Sequence, residues 1–194
     1  MGNKLFVLVG ESGSGKSTIE KIIADDLNLA TRAISSTTRD PRTNEVNGVD
    51  YNFISEEEFY IGLRDKNFLE YTEYTLEHRI VFYGLNKNDI DLNKGNHICV
   101  VNPRGLRQLK NSIWKDNIVS IHIKRDDRTR VISSLMRDNS NFKQVLREAC
   151  RRYEADLKDF QDIIQEVNYT VLNNSSLEEA VQAIEKIINF EKHK

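Results

Sequence analysis

The octapeptide GESGSGKS, residues 10–17, decides how this 194-residue chain is expected to fold. It follows the apolar run LFVLV at residues 5–9 and precedes residues 17–27, in which isoleucine and leucine recur at helical spacing. A strand, a glycine loop and a helix in this order form a phosphate-binding loop, because the loop amides and the start of the helix face an anion. We therefore predict a nucleoside triphosphate site, with Lys16 at the β- and γ-phosphates and the Ser17 hydroxyl as a ligand of Mg²⁺.

The expected contacts with ATP come from the backbone amides, the lysine and the hydroxyl groups of this loop. They are Gly10, Ser12, Gly13, Ser14, Gly15, Lys16, Ser17 and Thr18. The glycines allow the backbone to curl so that consecutive N–H groups point at phosphate oxygens. The motif by itself predicts the binding of a nucleoside triphosphate and leaves the reaction open.

The rest of the chain alternates between strand-like and helix-like segments, which predicts a mainly parallel sheet covered by helices on both faces. Strands are expected at residues 33–38, 98–102, 118–123 and 169–172, and helices at residues 128–136, 142–164 and 177–190. Residues 39–83 lack this alternation and favour short antiparallel strands. Within them a helix is expected at residues 56–64, because Ser55 and Glu58 have the spacing of a capping box.

Composition limits the possible classes of function. The hydrophobic fraction is 39% and the charged fraction 30%, which is typical of a globular protein. The formal net charge of -2 gives no general reason to expect nucleic-acid or membrane binding. No apolar run approaches the roughly 20 residues needed to span a bilayer. Without a signal-like segment, and with two cysteines that lack metal-ligand spacing (Cys99 and Cys150), we expect a cytoplasmic protein.

A second polar cluster consists of SSTTRDPR at residues 35–42 and VNGVDYNF at residues 46–53. Arg39 and Arg42 flank a proline turn and can form a bidentate clamp for a phosphate dianion. Tyr51 can add a hydroxyl donor to the same phosphate. Taken alone, such a turn is more often a solvated charged loop, so these residues leave both interpretations open.

Together these stretches resemble the guanylate kinase family, in which S-x-T-T-R-x-P-R is followed by G-x-D-Y-x-F. The family elements F-[IL]-E-[WY] and Y-G are matched by FLEY at residues 68–71 and YG at residues 83–84. The resemblance implies an ATP- and Mg²⁺-dependent kinase that phosphorylates GMP or dGMP. It also implies a three-layer α/β fold of the P-loop NTPase type, with a central parallel sheet, an inserted mixed α/β lobe that binds the nucleoside monophosphate, and a short helical lid.

On this basis we divide residues 1–194, a single domain, into three parts. The core is formed by residues 1–34, 85–125 and 151–194, the lobe by residues 35–84 and the lid by residues 126–150. The resemblance places the GMP phosphate on Arg39, Arg42, Tyr51 and Tyr83. It places the base on Ser35 and Glu70, since a carboxylate accepts hydrogen bonds from guanine N1–H and N2–H₂, and adenine, which lacks this donor pair, would be rejected by up to about 10⁴-fold.

The arginines of the second half are expected to stabilise the migrating phosphoryl group. Arg137 fits the lid arginine of the family and Arg151 the arginine of the following helix, with Arg147 and Arg152 as alternatives close by. With Lys16 they are the predicted catalytic residues. Asn173 matches a family position near the adenine of ATP.

Two departures from the family pattern concern the acceptor. Asn102 stands where the family has an aspartate; it remains a candidate substrate contact but carries no charge. Leu85 follows Gly84, where the family prefers serine or threonine. These departures leave open another deoxynucleoside monophosphate or a phosphorylated sugar as acceptor, and a non-catalytic phosphopeptide-binding module. A monomer and a homodimer are equally compatible with the sequence.

Overall fold

The computed structural model describes residues 2–42, 45–76, 79–136 and 142–194. Nine strands lie in this part of the chain: β1 Leu5–Val9, β2 Thr31–Arg32, β3 Ser36–Thr37, β4 Asn52–Phe53, β5 Phe68–Leu76, β6 Arg79–Asn86, β7 His97–Val100, β8 Ile118–Lys124 and β9 Tyr169–Leu172. The α-helices are α1 Lys16–Lys21, α2 Glu56–Arg64, α3 Pro103–Leu109, α4 Asp127–Leu135, α5 Phe142–Asp159, α6 Ile163–Glu166 and α7 Leu177–Lys192. A π-helical segment, Ile22–Asp26, continues α1, and 3₁₀ turns occupy Lys87–Asp89 and Lys115–Asn117.

The first sheet is parallel throughout, with strand order β2-β7-β1-β8-β9. Strand β1 lies at its centre, and all five of its residues are fully buried. Phe6 and Leu8 pack in one apolar cluster with α1 and α7, whereas Leu5, Val7 and Val9 pack on the opposite side with α3 and α6. The first sheet therefore forms the middle layer of a three-layer α/β core.

The second sheet is mixed, with order β4-β3-β6-β5, and all of its strands come from residues 36–86. Strands β5 and β6 pair antiparallel, with a register shift between Phe68 and Glu70. Helix α2 packs against this sheet through Phe59, whose ring stacks on Phe68 at 4.3 Å and on Phe82 at 5.1 Å. The predicted capping box of α2 is confirmed, because Ser55 and Glu58 make both reciprocal hydrogen bonds.

The α/β fold with a central parallel sheet and a separate mixed sheet is confirmed, but three details of the sequence prediction were wrong. Residues 33–38 do not form one strand: the Ala33 N–H bonds to Ile98 in the first sheet, while the Ser35 carbonyl accepts a hydrogen bond from Asn52 in the second. The helix expected at residues 142–164 is divided into α5 and α6. Helix α3 was missed, although Asn102 as N-cap and Pro103 at the first helical position signal its start.

Among the described residues, no helix combines the length and the apolar character that crossing a membrane requires.

Candidate functional site

A cleft of about 510 Å³ brings together the glycine loop, the second sheet and helix α5. Most of the predicted site residues line it: Gly10, Ser12, Gly13, Gly15, Lys16, Ser17, Thr18, Ser35, Arg39, Arg42, Tyr51, Glu70, Tyr83, Asn102 and Arg151. Ser14, within the loop, and Asn173, behind it, are buried and do not line this cleft, and Arg137 falls outside the described residues.

The loop after β1 requires glycine at two positions. Gly13 and Gly15 have φ angles of 79° and 97°, in the left-handed region that other residues avoid. A Cβ at Gly13 would lie 2.1 Å from the Arg130 carbonyl oxygen, so the loop packs directly against α4. The Lys16 ammonium group donates to the Glu11 carbonyl at 2.9 Å, which places its charge over the loop. The Ser17 side chain is exposed toward the cleft, where its hydroxyl is accessible to a ligand.

Asn173 supports the loop from behind. Its side-chain amide donates to the Ser14 carbonyl at 2.9 Å, and both residues are buried. A Cβ at Gly15 would lie 2.5 Å from the same amide nitrogen, so glycine is needed for this close approach. Asn173 also lines a side recess of about 160 Å³ together with Thr18 and Arg125. Asn173 therefore lies next to the loop, but its side-chain amide is hydrogen-bonded to the protein itself.

Two carboxylates that the sequence analysis did not single out hold the loop in place. Asp156, on α5, accepts a hydrogen bond from the Ser12 N–H at 2.8 Å and another from Arg130 at 3.2 Å. Burial raises the pKa of Asp156 above its ordinary value. Glu11 lies 3.1 Å from the ring of His122, which is buried on β8. Burial opposes ionisation of Glu11, but the hydrogen bond with His122 keeps its pKa below the ordinary value.

At the other end of the cleft, Arg39 is held rigidly from several sides. Its two terminal nitrogens bond to both oxygens of Glu45 at 2.6 and 2.7 Å, and its Nε donates to the Tyr83 hydroxyl at 3.0 Å. The guanidinium group also lies 5.1 Å from the centre of the Tyr51 ring. Burial disfavours the charge, but the hydrogen bonds to Glu45 and the proximity of Tyr83 raise the pKa of Arg39. Arg42 is exposed, and its backbone N–H bonds to Glu45 at 2.8 Å.

Glu70 is a buried carboxylate in this part of the cleft, with 6% of its surface exposed. It pairs in register with Leu85, which is fully buried, so an apolar side chain occupies the position where the family has a hydroxyl. Burial raises the pKa of Glu70 to about 7, although a hydrogen bond with the Leu85 backbone partly offsets this effect. A Cβ at Gly105 would lie 2.6 Å from a Glu70 carboxylate oxygen, so glycine leaves space for this group.

Asn102 connects the second sheet to the core. Its side-chain oxygen accepts a hydrogen bond from the Gly105 N–H at 2.7 Å and caps α3. Its side-chain nitrogen donates to the Tyr74 hydroxyl at 2.5 Å and to Thr72 at 3.2 Å. Thr72 and Tyr74 line the cleft but were missed from the sequence. They follow Glu70 at every second position of β5, and this alternation was the signal that could have identified them.

Arg151 and Arg152 approach the cleft from α5. Both donate to Glu148, at 2.8 and 2.6 Å respectively. Burial opposes ionisation of Glu148, but these two hydrogen bonds lower its pKa to about 2. Because both arginines line the cleft, the geometry does not distinguish between the predicted Arg151 and its neighbour.

This chain is similar to known guanylate kinases over nearly its whole length. A guanylate kinase of Mycoplasma mobile is 28% identical over 198 residues, which covers 98% of this chain and 94% of that protein. A guanylate kinase of Fusobacterium nucleatum is 30% identical over 188 residues, or 95% of each chain. The crystal structure of guanylate kinase from Anaplasma phagocytophilum matches with a TM-score of 0.70 at 21% identity, covering all of this chain and 88% of that one. This last likeness supports the fold.

The family model for guanylate kinase matches residues 2–191, nearly the whole length of the chain. The protein therefore belongs to the guanylate kinase family.

Proposed function

We propose that this protein transfers the γ-phosphoryl group of ATP to GMP or dGMP and releases ADP and the nucleoside diphosphate. The observation that carries this proposal is the pairing of two unlike sites in one cleft. One end has a glycine loop with Lys16, suited to a triphosphate. The other end has the fixed guanidinium of Arg39 and the buried carboxylate of Glu70, suited to a phosphate and a guanine base.

For the donor, the loop amides and Lys16 would bind the β- and γ-phosphates. The side recess next to Asn173 would accommodate the adenosine, since it opens beside the loop at Gly15 and Thr18. The donor set fits Mg²⁺, which prefers oxygen ligands and commonly takes one or two from the protein, with the rest from phosphates and water. The accessible Ser17 hydroxyl would be that ligand. When bound, the ion would neutralise charge on the β- and γ-phosphates.

For the acceptor, Arg39, Arg42, Tyr51 and Tyr83 would hold the phosphate of GMP. Arg39 is already ordered by its hydrogen bonds with Glu45 and Tyr83, and the phosphate would take the place of the Glu45 carboxylate. Glu70 would accept two hydrogen bonds from guanine, with Ser35 beside it in the cleft. Burial of Glu70 makes this recognition selective, since an adenine base would leave the carboxylate without donors.

Closure would complete the site. In this proposal residues 35–84 and residues 126–150 move over the core, exclude water and bring arginines to the migrating group. Arg151, which lines the cleft, would be one of these arginines, with Arg152 adjacent. Arg137 remains a prediction from the sequence alone.

A phosphopeptide-binding module is the less favoured alternative. Such a module has no use for Lys16 or Ser17, and here the loop is fully formed, with its lysine positioned by the Glu11 carbonyl. A phosphorylated sugar as acceptor would leave Glu70 without a function.

The test is an ADP-release assay with ATP and Mg²⁺, using GMP, dGMP, AMP, dTMP and sugar phosphates as acceptors. We expect turnover with GMP or dGMP and at least about 10³-fold lower kcat/KM with AMP. Glu70→Gln should narrow that difference between GMP and AMP. Equal use of AMP would refute the role of Glu70, and the absence of ADP with every acceptor would refute the kinase assignment.

A further inference from the structure

We propose that the Tyr74 hydroxyl donates a hydrogen bond to the phosphate of the acceptor nucleotide, and that Asn102 is the positioning residue that leaves the hydroxyl proton available. This inference rests on the proposed function, and it adds a contact in the cleft. Its basis is the direction of the hydrogen bonds around Asn102.

The orientation of the Asn102 side chain is fixed by the start of α3. The Gly105 backbone N–H can only donate, and it lies 2.7 Å from the Asn102 side-chain oxygen. The amide nitrogen must therefore face the opposite way, toward Tyr74 at 2.5 Å and Thr72 at 3.2 Å. An amide NH₂ group donates and does not accept, so the Tyr74 oxygen is the acceptor in this pair.

The proton of the Tyr74 hydroxyl is consequently not used in that bond. Within the described ranges, no side chain or carbonyl accepts it. Burial raises the pKa of Tyr74, so the hydroxyl remains protonated at neutral pH. The residue contributes to the lining of the cleft together with Tyr83 and Arg151. A donor without an internal acceptor, in a cleft suited to anions, points to a ligand oxygen.

The phosphate of the acceptor is the ligand group that fits this position. The Tyr74 ring lies 5.6 Å from that of Tyr83 in an edge-to-face arrangement. The Tyr83 hydroxyl in turn accepts from Arg39 at 3.0 Å. Tyr74 also lies close enough to Arg151 for the two to interact electrostatically. It thus stands between the arginine proposed for the acceptor phosphate and the one proposed for the migrating group.

An aspartate at position 102 would reverse the arrangement. A carboxylate accepts and does not donate, so it would take a hydrogen bond from Gly105 with one oxygen and the Tyr74 proton with the other. The neutral amide is therefore what frees the tyrosine to act as a donor. The departure from the family pattern at position 102 therefore has a chemical consequence, which is that Tyr74 can donate a hydrogen bond to a ligand.

The experiment is a double-mutant cycle with Tyr74→Phe and Asn102→Asp, and it measures the Kd for GMP by calorimetry without ATP. We expect each single variant to weaken GMP binding about tenfold, as loss of a hydrogen bond to a charged group predicts. The double variant should be no weaker than either single one, because both remove the same donated proton. If Asn102→Asp acted by charge repulsion alone, its effect would add to that of Tyr74→Phe, and this outcome would overturn the proposal.

Guanosine provides the second measurement, since it lacks the phosphate. Its affinity should be the same for the wild type and Tyr74→Phe, whereas a merely structural role of the tyrosine would weaken both ligands. Tyr60→Phe is the matched control, because it removes an exposed hydroxyl on α2 and should leave GMP binding unchanged. Equal GMP binding by the wild type and Tyr74→Phe refutes this inference and leaves the proposed function intact. If the wild type binds no GMP at all, both are refuted.

Discussion

Replacing Glu70 by glutamine should stabilise the folded protein while weakening its recognition of guanine. Burial raises the pKa of Glu70 in the folded protein from 4.5 to about 7. Below pH 4.5 the carboxyl group is protonated in both the folded and the unfolded chain, so it contributes no difference. As the pH rises from 4.5 to about 7, the carboxyl group loses its proton in the unfolded chain but keeps it in the folded protein, so the free energy of unfolding falls.

The size of the effect follows from the shift. Each pKa unit corresponds to about 1.4 kcal/mol, so the wild type should be less stable than Glu70→Gln by about 3 kcal/mol above pH 7. The side chain is buried, so screening by solvent reduces this value little. Glutamine has nearly the same shape, keeps an acceptor oxygen for the Leu85 backbone and does not titrate.

Urea unfolding of both proteins between pH 5 and pH 8 measures this difference. The difference should be below about 1 kcal/mol at pH 5 and reach its full value near pH 8. Glu73→Gln is the matched control, because it makes the same exchange on the same strand at an exposed side chain and should change the free energy of unfolding little. A constant difference at all pH values, or a less stable Glu70→Gln at pH 8, would refute the argument that burial controls the ionisation of Glu70.

Ionisation of Glu70 should also affect ligand binding, but with the opposite sign: a higher pH, which lowers the stability of the protein, should strengthen its binding of guanine. Guanosine isolates the base because it has no phosphate that titrates. Its affinity for the wild type should fall as the pH drops below about 7, since the protonated Glu70 loses the charge that accepts the guanine donors. For Glu70→Gln the affinity should be lower at pH 8 and nearly independent of pH. Titration calorimetry at three pH values is sufficient to test this.

Three further changes test other parts of the structure. Lys16→Ala should lower kcat at least about 10³-fold without changing the melting temperature, since its charge serves the transferred phosphoryl group; unchanged turnover would remove the loop from the mechanism. Asp156→Asn should tighten ATP binding about tenfold, because it removes a negative charge beside the expected phosphates while its amide oxygen can still accept from the Ser12 N–H; weaker binding would contradict this. Ser55→Ala should lower the free energy of unfolding by about 1 kcal/mol, measured in urea, through loss of the α2 cap; an unchanged midpoint would contradict that assignment.

Local patterns predicted those parts of the fold that depend on neighbours in the sequence. The strand before Gly10 and the helix after Gly15 follow from hydrophobic spacing, and the start of α2 follows from Ser55 and Glu58. Residues 33–38 were misassigned because their partners are distant. Residues 31–32 pair with β7, whereas residues 36–37 pair with β4 and β6, and no local signal records this change of sheet.

The candidate site shows the same difference between features that depend on neighbours in the sequence and features that depend on distant residues. The glycine loop, Arg39 and Glu70 were identified from motifs, and the structure brings them into one cleft. Asp156 could not have been identified, because its contact with Ser12 joins residues 144 positions apart. The hydrogen bond from Asn102 to Tyr74 likewise depends on how β5 lies against α3. Chemistry carried by a contiguous motif is visible in a sequence, whereas a contact between distant elements is not.

The cationic groups of the cleft already have hydrogen-bond partners within the protein, and a nucleotide phosphate must replace these partners in order to bind. Arg39 is bonded to Glu45, Arg151 to Glu148, and Lys16 to a backbone carbonyl of the loop. A phosphate therefore competes with these partners, and its affinity reflects the difference between the two sets of bonds. In return the arginines are already ordered, so binding loses less side-chain entropy than it would with freely rotating arginines. A dianion can displace a carboxylate because it carries more charge and more acceptor oxygens, whereas a monoanion has less advantage. This arrangement favours ligands with terminal phosphates over singly charged ones before any contact with the base is made.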